Sequence, residues 1–366
     1  MNSSLYIHIP FCKKLCGYCD FFKTMSLVRK GEVLERIAEE MAERSSLLEG
    51  TTLKTIYFGG GTPTVCTPGE LGALLRCAER TFDCSEVEEI TIEANPDDLS
   101  EEYLQGLRAE GFNRLSVGIQ SFHNSDLQMR NRRHTAEEAV AAIERARKAG
   151  FDNISIDLIY GLAGATLDQW GENVEQAIRL GVEHISAYHL TIEENTLFGK
   201  RGVTTAPEEL SDAEYELLCK RLGEAGYEHY EISNFALPNR RSRHNSAYWR
   251  GTPYLGLGPG AHSFDGARVR SWNKASIAAY LEGNSLEDET LSLSERYEEH
   301  VMVSLRTSEG VNLEELETLF GGRKRAEFEA TAAPHLERGV LLKKGDNIAF
   351  AESHWLISDS VIEEFF

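Results

Sequence analysis

The sequence predicts an α/β protein: an open, six-strand (β/α)6 barrel followed by a smaller, winged-helix-like α+β domain. Three observations carry this. Between residues 5 and 190, short β-rich runs alternate with amphipathic helical stretches and no repeat or low-complexity segment intervenes. Six such units are legible, fewer than a closed (β/α) barrel requires. Past residue 292 the pattern becomes helices ending in a hairpin. Successive strand–helix–strand units cross over right-handed into a parallel sheet, and their regularity favours barrel-like winding. A flat, doubly wound sheet is the alternative, because periodicity does not encode strand order.

The strands read as residues 5–9, 53–58, 89–93, 114–119, 153–159 and 184–190. Between the first two, Leu34, Ile37, Ala38, Met41, Ala42 and Leu48 recur at the spacing of one helix face. Thr135 with Glu138, and Thr166 with Gln169, read as capping boxes that start two more helices. Beyond residue 190, Ser211 with Glu214 reads as a further capped start, a strand follows near Tyr230, and residues 233–264 read as irregular. Residues 340–342 and 348–350 form a hairpin through Lys344, Gly345, Asp346 and Asn347. The chain of 366 residues is longer than one core usually serves, so the expected division is 1–232 for the barrel, 233–285 as a connecting segment and 286–366 for the last domain.

Acidic side chains outnumber basic ones, 59 to 38, and the net charge of −21 repels phosphate backbones and anionic membranes, so no nucleic-acid partner is expected. The opening MNSSLYIHIPFC has no basic segment followed by an apolar run, and no later stretch is long and apolar enough to span a bilayer. A cytoplasmic protein that is not integral to a membrane is the expectation. Of seven cysteines, Cys12, Cys16 and Cys19 crowd into the loop after the first strand, while Cys66, Cys77, Cys84 and Cys219 are scattered. In a reducing compartment such a cluster reads as metal ligation or redox chemistry. Three thiolates could hold three irons of a cubane and leave the fourth open; a structural zinc would want a fourth ligand, for which only His8 is near.

Polar residues gather at the carboxyl ends of the expected strands: Tyr6 and His8, Gly59 to Thr62, Glu93, Gln120, Asp157, Tyr188 and His189. In a parallel barrel these ends meet at one mouth, where ligand sites are built. Gly256, Gly258 and Gly260 lack the following helix of a dinucleotide fingerprint and read as a lining loop.

The cysteine spacing at this position resembles the radical S-adenosylmethionine (SAM) superfamily. The string YIHIPFCKKLCGYCDFF (6–22), with FGGGTPT (58–64), EANP (93–96), RLSVGIQSF (114–122), IDLIYGL (156–162), ISAYHLTIE (185–193), YEISNFA (230–236) and YLGLGPGAHS (254–263), is similar to its coproporphyrinogen-oxidase-like branch. The resemblance implies a [4Fe–4S] cluster on Cys12, Cys16 and Cys19, an electron donor for it, and SAM surrounded by Tyr6, Tyr18, Gly60, Gly61, Thr62, Glu93, Gln120, Arg132 and Asp157. Glycines would let the backbone approach that ligand closely. The chain departs from the pattern at Asn131, where glycine is usual and where asparagine tolerates the left-handed conformation, and at Ala163, where proline is usual.

Within the branch, Phe21 stands where the dehydrogenases carry another cysteine, and His244-Asn-Ser-Ala-Tyr-Trp249 resembles the H-N-x-x-Y-W motif of HemW-type haem chaperones. That resemblance implies haem as cargo, contacts to it from His244, Asn245, Tyr248 and Trp249, and delivery to apo-haemoproteins, with respiratory ones as candidate acceptors. The alternative is oxygen-independent coproporphyrinogen III dehydrogenation, an oxidative decarboxylation driven by a 5′-deoxyadenosyl radical.

Overall fold

A computed structural model describes residues 1–366. Strands β1 (Asn2–Ile9), β2 (Thr52–Gly60), β3 (Glu89–Ala94), β4 (Arg114–Gln120), β5 (Ile154–Tyr160) and β6 (His184–His189) are all parallel and lie side by side in chain order. The intervening helices are α1 (Lys30–Glu43), α2 (Pro68–Thr81), α3 (Glu101–Ala109), α4 (Asn124–Met129), α5 (Ala136–Lys148) and α6 (Leu167–Leu180). Right-handed crossovers that never reverse direction put their helices on one face and curl the sheet. A doubly wound sheet would need a reversal of strand order, and none occurs. β1 and β6 do not pair with each other, so the barrel is open.

Burial follows from this. All seven residues of β4 are buried, as are Leu5, Ile7 and Ile9 of β1, because a parallel sheet under helices has no wet face. Helices answer with Val33, Leu34, Ile37 and Met41 of α1, and with Ala139, Ala142, Ile143 and Ala146 of α5. Both expected capping boxes form: the Thr135 hydroxyl accepts from Glu138 N at 3.2 Å, and the Thr166 hydroxyl from Gln169 N at 3.2 Å.

The box read at Ser211 does not form. After α7 (Leu197–Lys200), α8 spans Glu208–Glu224 and starts a turn earlier than expected, behind Pro207. Proline's fixed φ and two glutamates in the first turn favour that start. Ser211 and Glu214 instead make long-range contacts, to His189 Nε2 at 3.0 Å and from Gly161 N at 2.8 Å.

The segment expected to be irregular is largely regular, and with the strands flanking it the sheet widens to twelve strands. β7 (Glu228–Glu231) and β8 (Asn234–Ala236) extend the β6 edge. Helix α9 (Arg243–Trp249) leads to β9 (Tyr254–Leu257), which pairs parallel with β1, and β10 (His262–Phe264) and β11 (Val269–Asn273) continue antiparallel. α10 (Ile277–Leu281) precedes β12 (Leu286–Thr290) at the far edge. Buried Glu40 ties α1 to this extension, accepting from Arg44, Asn273, Tyr280 and the Gly258 amide at 2.6–3.0 Å. The run Gly256–Gly258 is a packing device and not a lining loop: a Cβ at Gly258 would stand 2.5 Å from the His8 carbonyl oxygen, and one at Gly256 2.0 Å from that of His262.

The rest comprises α11 (Leu293–Leu305), β13 (Val311–Asn312), α12 (Leu313–Phe320), α13 (Gly322–Glu337), β14 (Leu341–Lys344), β15 (Asn347–Phe350) and α14 (Ser358–Ile362). β14 and β15 form the expected hairpin, turning through Gly345 at φ +63 and Asp346, and β13 completes a small sheet in the order β13-β15-β14.

Gly61 has no space for a side chain, since a Cβ there would lie 2.7–2.9 Å from backbone atoms of Phe11 and Ile9. Gly69, in the first turn of α2, faces nothing within 4 Å. Gly61→Ala is therefore expected to lower stability by about 1–3 kcal/mol or more, and Gly69→Ala to raise it by roughly 0.5 kcal/mol. Urea unfolding of both variants beside wild type checks the pair; equal midpoints would refute the packing assigned to Gly61.

Candidate functional site

The cysteine loop leaves β1 at Pro10 and returns at Thr24, and its neck is closed by Thr24 N to Pro10 O at 2.7 Å and Cys12 N to Thr24 O at 2.9 Å. Its far side is pinned as well. Gly17 N donates to Arg130 O at 3.0 Å, Phe198 N donates to Gly17 O at 2.8 Å, and a Cβ on Gly17 would run into the Phe198 ring. Asn131 takes φ +60, the left-handed conformation its glycine counterpart would adopt, and adds what glycine cannot: Nδ2 donates to Leu15 O at 2.7 Å. Lys13 reaches buried Asp98 at 2.5 Å, which also accepts from Thr64 at 3.0 Å.

All seven cysteines are free. The sulfurs of Cys12, Cys16 and Cys19 do not all lie within 4.8 Å of one another, whereas thiolates sharing one tetrahedral zinc would be about 3.8 Å apart. His8 offers no fourth ligand, since Nδ1 meets Tyr6 Oη at 3.1 Å and Nε2 meets Phe22 O at 3.1 Å. The three sulfurs and His8 therefore do not form a ready four-ligand set for a single zinc ion.

A polar chain links two of the thiols. Thr62 Oγ1 donates to Cys12 Sγ at 3.4 Å and accepts from Asn95 Nδ2 at 3.3 Å; Arg132 donates to Asn95 Oδ1 at 2.5 Å and to Cys16 Sγ at 3.2 Å. Lys23 lies beside Cys19, with Nζ on its carbonyl at 2.6 Å. Burial raises the Cys12 and Cys19 thiols, with Thr62 pulling against it at Cys12 and Lys23 at Cys19. Asn95 escaped sequence reading; its place in the EANP string was the available signal.

These cysteines border a cavity of about 400 Å³ at the carboxyl ends of the strands. Tyr18, Gly60, Gly61, Thr62, Glu93, Gln120, Arg132 and Asp157 line it, as expected, joined by Arg114 and Ser116. Tyr6 does not; it stacks with Tyr57, which takes the wall position. The glycines serve packing first, because a Cβ on Gly60 would strike the His8 ring. Gln120 holds φ +72, an uncommon conformation for a side-chain-bearing residue, where the β4–β5 register shifts.

Charge in the cavity is mixed. Glu93 accepts from Tyr57 Oη at 2.9 Å and Gly60 N at 3.1 Å. Burial, helped by the Asp157 charge, nevertheless lifts its carboxyl to about 7. Burial also raises Asp157, against the pull of Arg114. The Nε atoms of Arg114 and Arg132 are buried without a hydrogen-bond partner, Arg114 Nε having only the Glu89 carboxylate at 4.0 Å. Unmatched donors beside a half-neutralised acid suit a ligand that carries both a carboxylate and an ammonium.

The H-N-x-x-Y-W residues do not share one surface. His244 is buried and both ring nitrogens are engaged, Nδ1 with Thr55 Oγ1 and Nε2 with Tyr248 Oη, each at 2.8 Å. Its ring stacks on Tyr57 at 4.8 Å, and burial lowers its pKa to about 3. In this arrangement the ring keeps no free lone pair for a haem iron. Of the four residues only Asn245 lines the cavity; Trp249 faces a separate groove with Arg241, Arg250 and His300. Consecutive helical residues point about 100° apart, so this spacing divides the motif.

Comparison with known proteins adds the following. The radical SAM superfamily model matches residues 6–177, and the HemN C-terminal domain matches residues 291–351. The chain is 35% identical to heme chaperone HemW of Lactococcus lactis subsp. lactis, over 99% of this chain and 97% of that one. It is 34% identical to heme chaperone HemW of Bacillus subtilis, over 99% and 98%. The solved coproporphyrinogen III oxidase (HemN) of Escherichia coli, a radical SAM enzyme, superposes with a TM-score of 0.85 at 25% identity, covering 99% of this chain and 89% of that one.

The raised Glu93 carboxyl makes a signed prediction. An unfolded glutamate titrates near roughly 4.3, so as pH climbs from there to about 7 the unfolded state ionises first and the fold loses stability. Glu93→Gln removes that loss. Denaturant unfolding of ligand-free protein should show a larger advantage for the variant at pH 8 than at pH 5, and the same difference at both would contradict the shift.

Proposed function

Because the chain belongs to the HemW family of the radical SAM superfamily, we propose that it carries a [4Fe–4S] cluster on Cys12, Cys16 and Cys19, binds SAM in the adjoining cavity, and carries haem for delivery to apo-haemoproteins. The observation that carries the cofactor reading is the convergence of three free thiols on a cavity with unmatched arginine nitrogens and an acid poised near neutrality. When bound, the cluster supplies one electron for reductive cleavage of SAM. Glu93 accepts the ammonium of SAM, Arg114 and Arg132 receive its carboxylate, and Asp157 takes ribose hydroxyls. Arg132, donating to Cys16 Sγ at 3.2 Å, fixes that sulfur on the cavity wall where an iron ligand would be needed.

Haem is assigned to the cavity mouth. Phe21 and Tyr188 line the cavity yet are 71% and 42% exposed, and Leu15 is exposed in the same loop. Such an apolar rim suits the face of a macrocycle, and Lys14 on the same wall suits a propionate. Phe21 also withholds the additional thiol of the dehydrogenases, which favours chaperone over oxidase.

Three measurements test this. Iron and sulfide analysis should find no intact cluster after Cys12→Ala, Cys16→Ala or Cys19→Ala, and a full one after replacement of Cys66, Cys77, Cys84 or Cys219; a full cluster in Cys16→Ala protein would sink the assignment. SAM affinity of cluster-loaded protein should rise with pH through about 7 and lose that dependence in Glu93→Gln. Anaerobic titration should give a saturable Soret band with haem and no decarboxylated product with coproporphyrinogen III; the opposite result would favour the dehydrogenase. His244→Ala should keep that band while losing about 2–4 kcal/mol of stability, the cost of emptying a buried, twice-bonded site.

A further inference from the structure

Far from the cysteine loop, three donors from distant parts of the chain converge. Cys219 lies on α8, His229 on β7 and Glu352 just past β15. Cys219 Sγ is 3.8 Å from His229 Nδ1, His229 Nδ1 is 3.0 Å from Glu352 Oε1, and the three donor atoms all lie within 4.8 Å of one another, the one such trio in the chain. Around a tetrahedral zinc, with Zn–S of about 2.3 Å and Zn–N and Zn–O of about 2.0–2.1 Å, neighbouring donors sit about 3.3–3.6 Å apart. Small side-chain adjustments turn one arrangement into the other.

We propose that Cys219, His229 and Glu352 form a zinc-type divalent-metal site, distinct from the cysteine loop, with its fourth position open to water. The surroundings of His229 support this. Its ring is clamped, stacked on Phe235 at 4.0 Å and edge-on to Trp355 at 4.1 Å. Nε2 faces the Ile232 carbonyl at 3.5 Å, the partner that a metal-bound histidine commonly gives its second ring nitrogen, and Nδ1 faces the other two donors. A metal takes Cys219 as the thiolate, so uptake releases its proton. Glu352, 60% exposed in its side chain, gives an ion its way in.

The site would clip the segment after β15 to the β7 edge of the large sheet. Mixed sulfur, imidazole and carboxylate ligands suit zinc better than magnesium or calcium, which prefer all-oxygen shells.

The test uses full-length, cluster-loaded protein under anaerobic conditions, freed of adventitious metal by dialysis, and titrated with zinc against a chromophoric chelator while iron content is followed. Wild type is expected to take up one equivalent with no loss of iron and to gain in thermal midpoint. Cys219→Ser, His229→Gln and Glu352→Gln should each weaken zinc at least roughly 10-fold and abolish the gain. Should His229→Gln misfold, the exposed Glu352→Gln variant decides alone. No zinc uptake by wild type, or unchanged uptake in Glu352→Gln and Cys219→Ser, overturns the proposal.

Discussion

Two backbone hydrogen bonds root the cysteine loop: Gly61 N to Ile9 O at 2.9 Å and Thr62 N to Phe11 O at 2.8 Å. They prolong the β1–β2 ladder past the last paired residues of both strands, which only a residue without Cβ at position 61 allows. Loops at a barrel mouth ordinarily have freedom. This one inherits the rigidity of the two central strands, and Arg130 and Phe198 hold its opposite side. Cys12 therefore emerges beside Thr62, and Cys16 is carried over to Arg132. Loosening the root would scatter the thiols and undo the cavity wall.

The second constraint is electrostatic. A strongly acidic chain buries Arg114 and half-buries Arg132 on a cavity wall shared with three thiols, Glu93 and Asp157. Arg114 is balanced by Glu89 at 4.0 Å, and Glu89 in turn accepts from the Arg243 and His244 amides at 2.9 and 3.0 Å. The start of α9 thus reaches the cavity through Glu89, without presenting His244 to a ligand. A buried charge left without such compensation would be strongly destabilising, which gives α9 a reason to sit where it does.

Legibility in the sequence tracked the range of the interactions. The six strands and the boxes at Thr135 and Thr166 depend on residues a few positions apart, and they were readable. Ser211 and Glu214 have the same local pattern but answer to His189 and Gly161, partners that no local pattern reveals. The strands added after β6 are short, and their pairing partners lie far off in the chain, β9 with β1 above all. Glycines near the cavity were read as making room for a ligand, whereas at Gly60, Gly61 and Gly258 the room is taken by protein. The cavity-lining set was legible because parallel strand ends converge whatever their helices look like. The division of the H-N-x-x-Y-W residues among core, cavity and groove was not, because it depends on where α9 docks.

The position of β1 bears on how the chain is made. Its neighbours are β2 and β9, so its second edge is filled only when residues 254–257 exist. At ordinary synthesis rates of about 5–20 residues per second, that edge stays open for roughly 13–50 s after the first residue is joined. Throughout that interval a nascent strand with buried-type residues Leu5, Ile7 and Ile9 offers unsatisfied amides and carbonyls to any passing chain. Its cysteine loop also lacks its final support, because Gly258, just past β9, packs against the His8 backbone at the base of that loop. The thiol site is therefore completed late in synthesis, and slow elongation before residue 257 lengthens the period in which the thiols are exposed to oxidation.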